Sequence, residues 1–367
     1  MIKPVSGLCN MRCRYCFYAD VAGSREKRDA GVMSLETLET LVVKSLAAAD
    51  EFCAFGFQGG EPTLAGLDFF RVLIEFEAKH NARGVKIFHA IQTNGLSIDK
   101  DWAEFFARNG FLVGLSIDSG EAVHDKLRAD SGGLGTHSRC MAASKLLGEA
   151  GVEYNILTVV TRQIASHPDK TYDFYRRNGF SHVQFIPCLE GFGEPRGTNP
   201  YSLGAKEFGV FLCRIFDMWY EDFKKGNYIS IRDFDNYIHM LSGYPPESCA
   251  LSGRCAANIV AEADGSVYPC DFYAVDQYYM GNLKDSTFDE MLAGPAARNF
   301  IGPSMRPAPQ CASCEFHFIC RGGCRRHREP VINGAAGLNY YCKSYKKFFA
   351  HALPGMKEIS DLVFNSK

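Results

Sequence analysis

The chain has 367 residues, of which 46% are hydrophobic, so it can bury a large core and is expected to form one large domain and a smaller one. Its 40 basic and 42 acidic residues leave a net charge of -2, which argues against nucleic acid or an anionic membrane as a partner. It has no apolar run of the roughly 18 residues that a membrane span needs, and residues 1–8 are too short and interrupted for a signal peptide.

The fifteen cysteines are far more than an ordinary cytoplasmic enzyme needs. Because nothing in the sequence indicates secretion, disulfides are not expected. We expect reduced, metal-bound thiols in the cytoplasm.

The first motif is Cys9-x3-Cys13-x2-Cys16, followed directly by Phe17. Three thiolates this close together can bind one face of a [4Fe-4S] cluster, and they leave one iron open for another ligand. The alternative is a structural zinc loop, which needs a fourth ligand. The nearest candidate, Cys53, lies in a predicted strand.

A helix is predicted over 34–49, with Ser34 as its N-cap, and a buried strand over 52–57. The second motif, 58–63 (Gln-Gly-Gly-Glu-Pro-Thr), follows this strand. Its glycines let a ligand approach the backbone, its carbonyls can accept hydrogen bonds from an ammonium group, and Glu61 adds opposite charge. An ordinary strand-to-helix turn is the alternative, since Pro62 favours a helix start.

Strands and helices then alternate, which predicts parallel βαβ units with ligands at the carboxyl ends of the strands. Residues 92–95 and 116–118 follow two of these strands. After them we expect a linker or lid over 190–202, a helix over 201–225 and a strand over 228–232. The alternating elements are strands 86–91, 111–115, 153–160 and 182–187 and helices 99–109, 138–150 and 168–178.

A second domain is predicted from about Ser248, where cysteines become frequent. Eight thiolates suffice for two fully ligated clusters, which would transfer electrons, although a pair of zinc sites is the alternative. The eight are Cys249, Cys255, Cys270, Cys311, Cys314, Cys320, Cys324 and Cys342. Cys53, Cys140, Cys188 and Cys213 are expected to be small buried apolar residues.

Charged residues accompany these cysteines. Asp271, directly after Cys270, is either a general base beside an oxidising cluster or a turn aspartate. The arginines of this region either offset cluster charge or form a solvated basic face. They are Arg321, Arg325, Arg326 and Arg328.

On these motifs the chain resembles radical S-adenosylmethionine (SAM) enzymes with a SPASM domain. Through residues 7–18, 56–67, 92–95, 266–273 and 339–342 it resembles the anaerobic sulfatase-maturating enzymes. The resemblance implies an α/β fold: a partial (β/α)6 TIM-like barrel over 1–227, a connecting segment over 228–247, a SPASM domain over 248–347 and a C-terminal helix over 348–367.

The resemblance also implies site residues. Cys9, Cys13 and Cys16 hold the SAM-binding [4Fe-4S] cluster, and Asp271 is the general base. Two auxiliary [4Fe-4S] clusters are held by Cys249, Cys255, Cys270 and Cys324 and by Cys311, Cys314, Cys320 and Cys342. Arg232 is expected near the bound peptide. The SAM site comprises Tyr18, Gln58, Gly59, Gly60, Glu61, Gln92, Asn94, Ser116, Arg128 and Leu189, of which Tyr18 and Gln58 are also candidates for peptide contact.

The activity implied is oxidation of a serine or cysteine of an immature sulfatase to formylglycine, by a monomer reduced by a donor such as flavodoxin or ferredoxin. A maturase that forms thioether or carbon–carbon bonds in another peptide shares these motifs. Many such enzymes carry an N-terminal peptide-binding domain, which we expect this chain to lack because its cluster motif begins at Cys9. A non-enzymatic iron–sulfur carrier or zinc adaptor would need neither the open iron nor residues 59–62.

Overall fold

A computed structural model describes residues 1–364. The chain forms two compact units, each assembled from separate segments. The first contains residues 1–117, 124–155 and 257–300, and the second contains 118–123, 156–256 and the described residues from 301 onward.

The first unit contains three parallel strands, β1 (Phe52–Phe57), β2 (Lys86–Thr93) and β3 (Phe111–Ser116). Phe57, Ile91 and Val113 lie in register and are buried, because every second side chain of a strand points to the same face. Its longer helices are α1 (Phe17–Gly23), α2 (Leu35–Ala48), α3 (Leu67–His80), α4 (Lys100–Arg108), α5 (Glu121–Leu127, which begins in the second unit) and α6 (His137–Glu149).

Local sequence explains where these helices begin. The Ser34 hydroxyl accepts the Thr37 N–H ahead of α2, and the Asp99 carboxylate accepts the Trp102 N–H ahead of α4. Aromatic residues then join helices to strands, as Phe70 packs edge-on against Phe57 with 5.0 Å between ring centroids.

The rest of the first unit brings the start of the chain beside β1. Ile2 forms parallel bridges with Phe57 and Ala261, and its carbonyl accepts the Gln58 N–H at 3.0 Å. Lys3 is thereby fixed next to the end of β1. The other elements are strands β7 (Val260–Ala261), β8 (Ser266–Tyr268) and β9 (Gly281–Asn282), which pair antiparallel, and helices α12 (Phe288–Ala293) and α13 (Pro295–Ile301, whose last residue lies in the second unit).

The second unit also contains three parallel strands, β4 (Tyr154–Val160, which begins in the first unit), β5 (His182–Pro187) and β6 (Ser230–Ile231). A Cβ at Gly209 would lie 3.0 Å from the Ser344 Cα, so glycine allows two long helices, Ala205–Lys224 and Cys342–Phe364, to pack closely. The helices are α7 (Arg162–Ala165), α8 (Pro168–Arg177), α9 (Ala205–Lys224), α10 (Arg232–Leu241), α11 (Cys249–Ser252), α14 (Pro309–Ala312), α15 (His317–Cys320) and α16 (Cys342–Phe364). A hairpin of β10 (Val331–Ile332) and β11 (Ala335–Ala336) completes it.

The alternation of strands and helices agrees with the prediction of a parallel α/β fold. Three details differ. The helix predicted over 201–225 begins only at Ala205, and the strand predicted over 228–232 is reduced to β6 because Arg232 starts α10. The helix predicted over 348–367 is the later part of α16, and residues 365–367 lie outside the described part of the chain. Among residues 1–364, no helix is long and apolar enough to cross a membrane.

Candidate active site

The three cysteines of the first motif lie on a loop that ends at α1, where Cys16 is the N-cap. Burial, together with the nearby charges of Glu61, Cys13 and Cys16, raises the pKa of Cys9 to about 11. Crowded thiolates of this kind need a cationic partner. The donor set therefore fits an iron–sulfur cluster, whose irons bind all three as thiolates.

Two N–H groups are directed at the sulfur of Cys9. The Asn94 side-chain amide donates to the Cys9 Sγ at 3.8 Å and to the Asn10 Oδ1 at 2.8 Å, and the Met11 backbone N–H donates to the same sulfur at 3.4 Å. Hydrogen bonds to a cysteine sulfur stabilise its thiolate. Asn94, which was predicted as a SAM contact, thus lies against the cysteine loop.

The two glycines of the second motif pack directly on the segment before Cys9. A Cβ at Gly60 would lie 2.0 Å from the Leu8 carbonyl oxygen, and Gly59 has φ +131°, which side chains rarely adopt. The Gly60 N–H donates to the Ser6 carbonyl at 2.8 Å. The ordinary-turn explanation of this motif does not require such close approach.

The Glu61 carboxylate is buried and hydrogen-bonded within the protein. One oxygen accepts bonds from the hydroxyls of Thr63 and Thr93, both at 2.7 Å, and from the Thr63 N–H at 3.2 Å. The other accepts the Asn94 N–H at 2.7 Å. Burial raises the pKa of Glu61 although these donors oppose the shift. The carboxylate thus joins the loop after β1 to the end of β2.

Asp271 is held by two donors from the chain start and the second motif. Lys3, whose side chain is 0% exposed, forms an ion pair with Asp271 Oδ1, and the Gln58 amide donates to Oδ2. A lysine is seldom fully buried unless it is paired. Sequence reasoning missed Lys3, for which the only signal was a charged residue in the otherwise apolar stretch 1–5.

Tyr18 lies on the other side of Lys3. The Lys3 Nζ is 3.6 Å from the centroid of the Tyr18 ring, a cation–π contact. The Tyr18 hydroxyl donates to Glu262, which also pairs with Arg25 at 2.7 Å. Burial, followed by the charge of Glu262, raises the pKa of Tyr18. The hydroxyl predicted to contact SAM or the peptide therefore has a carboxylate partner.

The other predicted SAM contacts are distributed over both units. Arg128 is buried and donates to the Tyr15 hydroxyl at 2.9 Å, so it is not the solvated loop arginine that was one alternative. Gln92 is exposed on β2, and Ser116 is half-buried at the end of β3. Leu189 is buried in the second unit.

Seven of the eight C-terminal cysteines lie in the second unit and fall into two sets. In the first set, burial raises the pKa of Cys324 to about 12, with the charges of Cys249 and Cys255 adding to the shift. In the second set, Cys320 has neighbouring charges from Cys311, Cys314 and Cys342, and all four line one cavity with Phe316 and Phe349. Cys270 belongs to the first unit, where it precedes Asp271.

Within residues 1–364, no three His, Cys, Asp or Glu side chains converge closely enough to hold one metal ion.

The arginines beside Cys324 do not form a solvated face. Arg325, Arg326 and Arg328 are 3%, 5% and 2% exposed, respectively. Of the cysteines expected to be buried apolar residues, Cys140, Cys188 and Cys213 are buried, whereas Cys53 is half-buried.

Comparison with known proteins identifies the family. A model of the radical SAM superfamily matches residues 4–175, and one of the SPASM iron–sulfur cluster-binding domain matches residues 251–315. A cysteine-type anaerobic sulfatase-maturating enzyme of Clostridium novyi is 44% identical, covering 100% of this chain and 96% of that protein. A serine-type enzyme of Bacteroides thetaiotaomicron is 32% identical, covering 100% and 92%.

A solved structure described as native anSMEcpe with bound AdoMet and Kp18Cys peptide superposes with a TM-score of 0.95. It is 42% identical, and the match covers 99% of this chain and 98% of that one. Sequence and fold agree over essentially the whole length. The chain therefore belongs to the anaerobic sulfatase-maturating enzymes, a family of the radical SAM superfamily.

Proposed function

We propose that this enzyme oxidises a cysteine, or less readily a serine, of an immature sulfatase to formylglycine, acting as a cytoplasmic monomer. The observation that carries the proposal is the Asp271 carboxylate, held by Lys3 and Gln58 in the same unit as the cysteine loop. The preference for cysteine is supported by 44% identity to a cysteine-type relative against 32% to a serine-type one.

Three clusters are proposed. Cys9, Cys13 and Cys16 would hold the cluster that binds SAM, and the two auxiliary clusters would take the cysteine sets that the resemblance implies, with Cys270 in the first. Flavodoxin or ferredoxin would supply electrons. In the proposed SAM site, the backbone carbonyls of Gly59 and Gly60 would accept hydrogen bonds from the ammonium group of SAM. Arg128 and Ser116 would contact the carboxylate of SAM, and Leu189 would contact its adenine. Tyr18, Gln58, Gln92 and Asn94 would border it, and Glu61 would act by holding Asn94.

When bound, SAM and the first cluster would supply radical chemistry that removes a hydrogen atom from the β-carbon, and the auxiliary clusters would supply an acceptor for one electron. Asp271 accepts the proton of the thiol or hydroxyl. Lys3 and Gln58 hold the carboxylate in place and leave it free lone pairs, since a carboxylate offers about four acceptor sites. Loss of one hydrogen atom, one proton and one electron turns a cysteine into a thioaldehyde, which water converts to the aldehyde with release of hydrogen sulfide.

The test is anaerobic reconstitution, iron counting and incubation with SAM, a reductant and a sulfatase peptide bearing Cys-x-Pro-x-Arg. We expect 5′-deoxyadenosine and a peptide aldehyde in equal amounts, and less of both from the matched serine peptide. Formation of 5′-deoxyadenosine without aldehyde would refute the sulfatase assignment and retain the radical one.

The two alternatives separate cleanly. A maturase of another peptide would leave a thioether or carbon–carbon crosslink, which mass spectrometry distinguishes from an aldehyde. The non-enzymatic carrier or zinc adaptor is wrong, because the chain belongs to an enzyme family.

A further inference from the structure

The second unit buries a positive charge that has no carboxylate partner in the described part of the chain. Arg328 is 2% exposed, and within residues 1–364 its guanidinium donates only to backbone carbonyls. Nη1 bonds the carbonyls of Gly253 at 3.2 Å and Ser304 at 3.5 Å, Nη2 bonds that of Arg306 at 2.8 Å, and Nε bonds that of Gly337 at 3.3 Å.

No carboxylate of residues 1–364 lies within ion-pair distance of Arg328. Arginine cannot give up its proton, so this site keeps a full charge in a water-excluded place. Carbonyl dipoles solvate such a charge only partly, and a buried charge normally has a counter-charge. The missing anion must therefore come from something that binds nearby.

The nearest candidates are the cysteines of the first set. Gly253 lies two residues before Cys255, and the Cys255 N–H donates to the Ser304 hydroxyl at 2.9 Å. The backbone that surrounds the guanidinium is thus the backbone that carries Cys255. Arg325 and Arg328 both lie close enough to Cys255 for their positive charges to act on its sulfur.

Arg326 also lies beside the first set of cysteines. Its backbone N–H donates to the Cys324 Sγ at 3.4 Å, and its guanidinium lies 4.2 Å from the ring centroid of Phe192. Arg325, in contrast, has a carboxylate partner, Glu329, at 3.6 Å. Arg328 therefore differs from Arg325 in having no carboxylate partner among residues 1–364.

The second cysteine set has a different environment. Lys346 lines its cavity, but Lys346 is exposed. Water and salt screen an exposed charge far more than a buried one. The two sets thus differ in the charge that the protein places beside them.

We propose that Arg328 is the built-in counter-charge of the cluster held by Cys249, Cys255 and Cys324, and that it raises the reduction potential of this cluster. The inference rests on the proposed iron–sulfur occupancy of these cysteines. A cluster with thiolate ligands is negatively charged and gains one more negative charge on reduction, so a nearby fixed cation stabilises the reduced form more. The substrate's electron would therefore pass more readily to this cluster.

The test uses full-length protein with Cys9, Cys13 and Cys16 changed to alanine, so that only auxiliary clusters remain. Anaerobic redox titration followed by electron paramagnetic resonance is compared for this background, for Arg328→Gln and for Arg328→Lys. Lys346→Gln is the matched control at the second set. Iron content and circular dichroism are measured for each.

With Arg328→Gln we expect the reduced-to-oxidised ratio of one cluster to fall at least about tenfold at fixed potential, a shift of about 59 mV for one electron. Arg328→Lys should restore most of it, and Lys346→Gln should shift the other cluster by less. An unchanged potential in Arg328→Gln with normal iron content would overturn the proposal.

If Arg328→Gln loses iron, the potential of the cluster cannot be measured in that variant, and Arg328→Lys becomes the deciding variant. If the lysine variant keeps iron and its potential, the charge is what matters. If both variants lose iron, the guanidinium acts by holding the backbone and the proposal is wrong. Zinc in place of iron in the background protein would instead refute the proposed cluster occupancy, since no redox signal would exist in any variant.

Discussion

Two buried cations, Lys3 in the first unit and Arg328 in the second, have opposite kinds of partner. In the first unit, the fully buried Lys3 meets the carboxylate of Asp271 and the ring of Tyr18. In the second, the equally buried Arg328 meets four backbone carbonyls. The first charge is paired by the protein itself, whereas the second is not.

Under the two proposals made above, this difference distinguishes a site that transfers a proton from a site that binds a charged cofactor. A paired carboxylate stays in place before any ligand arrives, because separating the pair would leave two buried charges. An unpaired guanidinium gains its partner only when a negatively charged group binds. In the first site the protein supplies both the cation and the anion. In the second site the protein supplies the cation, and a bound group must supply the anion.

The largest effect is expected from Asp271→Asn, which removes the proposed base while keeping the shape of the side chain. General-base catalysis contributes roughly a 100- to 10,000-fold rate increase, so aldehyde formation should fall by at least about 100-fold. SAM cleavage should continue, because Cys9, Cys13 and Cys16 are unchanged. The measurement is the ratio of aldehyde to 5′-deoxyadenosine, and a ratio near that of the wild type would refute the role of Asp271.

The next effect is expected from Lys3→Met, which removes the charge and keeps the length of the side chain. The buried Asp271 carboxylate would keep only the Gln58 amide, and breaking a buried ion pair costs about 3–5 kcal/mol in the free energy of unfolding. The measurement is denaturant unfolding of the reconstituted enzyme. Lys3→Arg, which keeps a charge but is bulkier, should lose less stability.

A double variant makes this prediction specific. Lys3→Met together with Asp271→Asn leaves neither charge unpaired, so it should be more stable than Lys3→Met alone, although it remains inactive. If the two stability losses simply add, then the pair is not coupled and the comparison with Arg328 fails.

A smaller effect is expected from Glu61→Gln. The carboxamide can still accept bonds from Thr63 and Thr93, but its NH2 group would face the Asn94 N–H, so two donors would meet. An unsatisfied buried donor costs about 1–3 kcal/mol. Unfolding measurements give this loss directly. Because Asn94 also reaches the Cys9 sulfur, SAM binding should weaken as well, whereas Glu36→Gln at an exposed position of α2 should change neither.

Sequence reasoning predicted the six parallel strands β1–β6 and several of the longer helices because their apolar residues recur with a strand or helix period, as in 52–57 and 34–49. It also identified the motif of Cys9, Cys13 and Cys16, whose spacing lies within one stretch of eight residues. It missed Lys3 because the contact with Asp271 joins residues 268 positions apart. No local pattern encodes such a pair.

The alternatives at the arginines show a related limit. Arg325, Arg326 and Arg328 have the composition of a solvated basic face, and only the fold shows that they are buried. Likewise, the sequence context of Glu61 suggested a charge for the ammonium of SAM, but it could not show the four hydrogen bonds that the carboxylate accepts from Thr63, Thr93 and Asn94. In both cases the sequence shows that a charged residue is present, but it does not show which groups that residue contacts.

The smallest expected effect concerns His124, a buried group that stays neutral where Lys3 and Arg328 stay charged. Burial, then the charges of Arg128 and His137, lowers the pKa of His124 to about 2, and its ring is 3.0 Å from the Thr136 hydroxyl. Below its ordinary pKa of about 6.5, the unfolded chain binds a proton that the folded protein refuses, so stability is full above that pH and falls below it. The free energy of unfolding should therefore drop by about 1 kcal/mol more between pH 6.5 and 5.5 in the wild type than in His124→Gln, whose amide can still bond Thr136. Equal pH slopes in chemical unfolding of the two proteins would show that the pKa of His124 in the folded protein lies near its ordinary value. Burial would then not keep this side chain neutral.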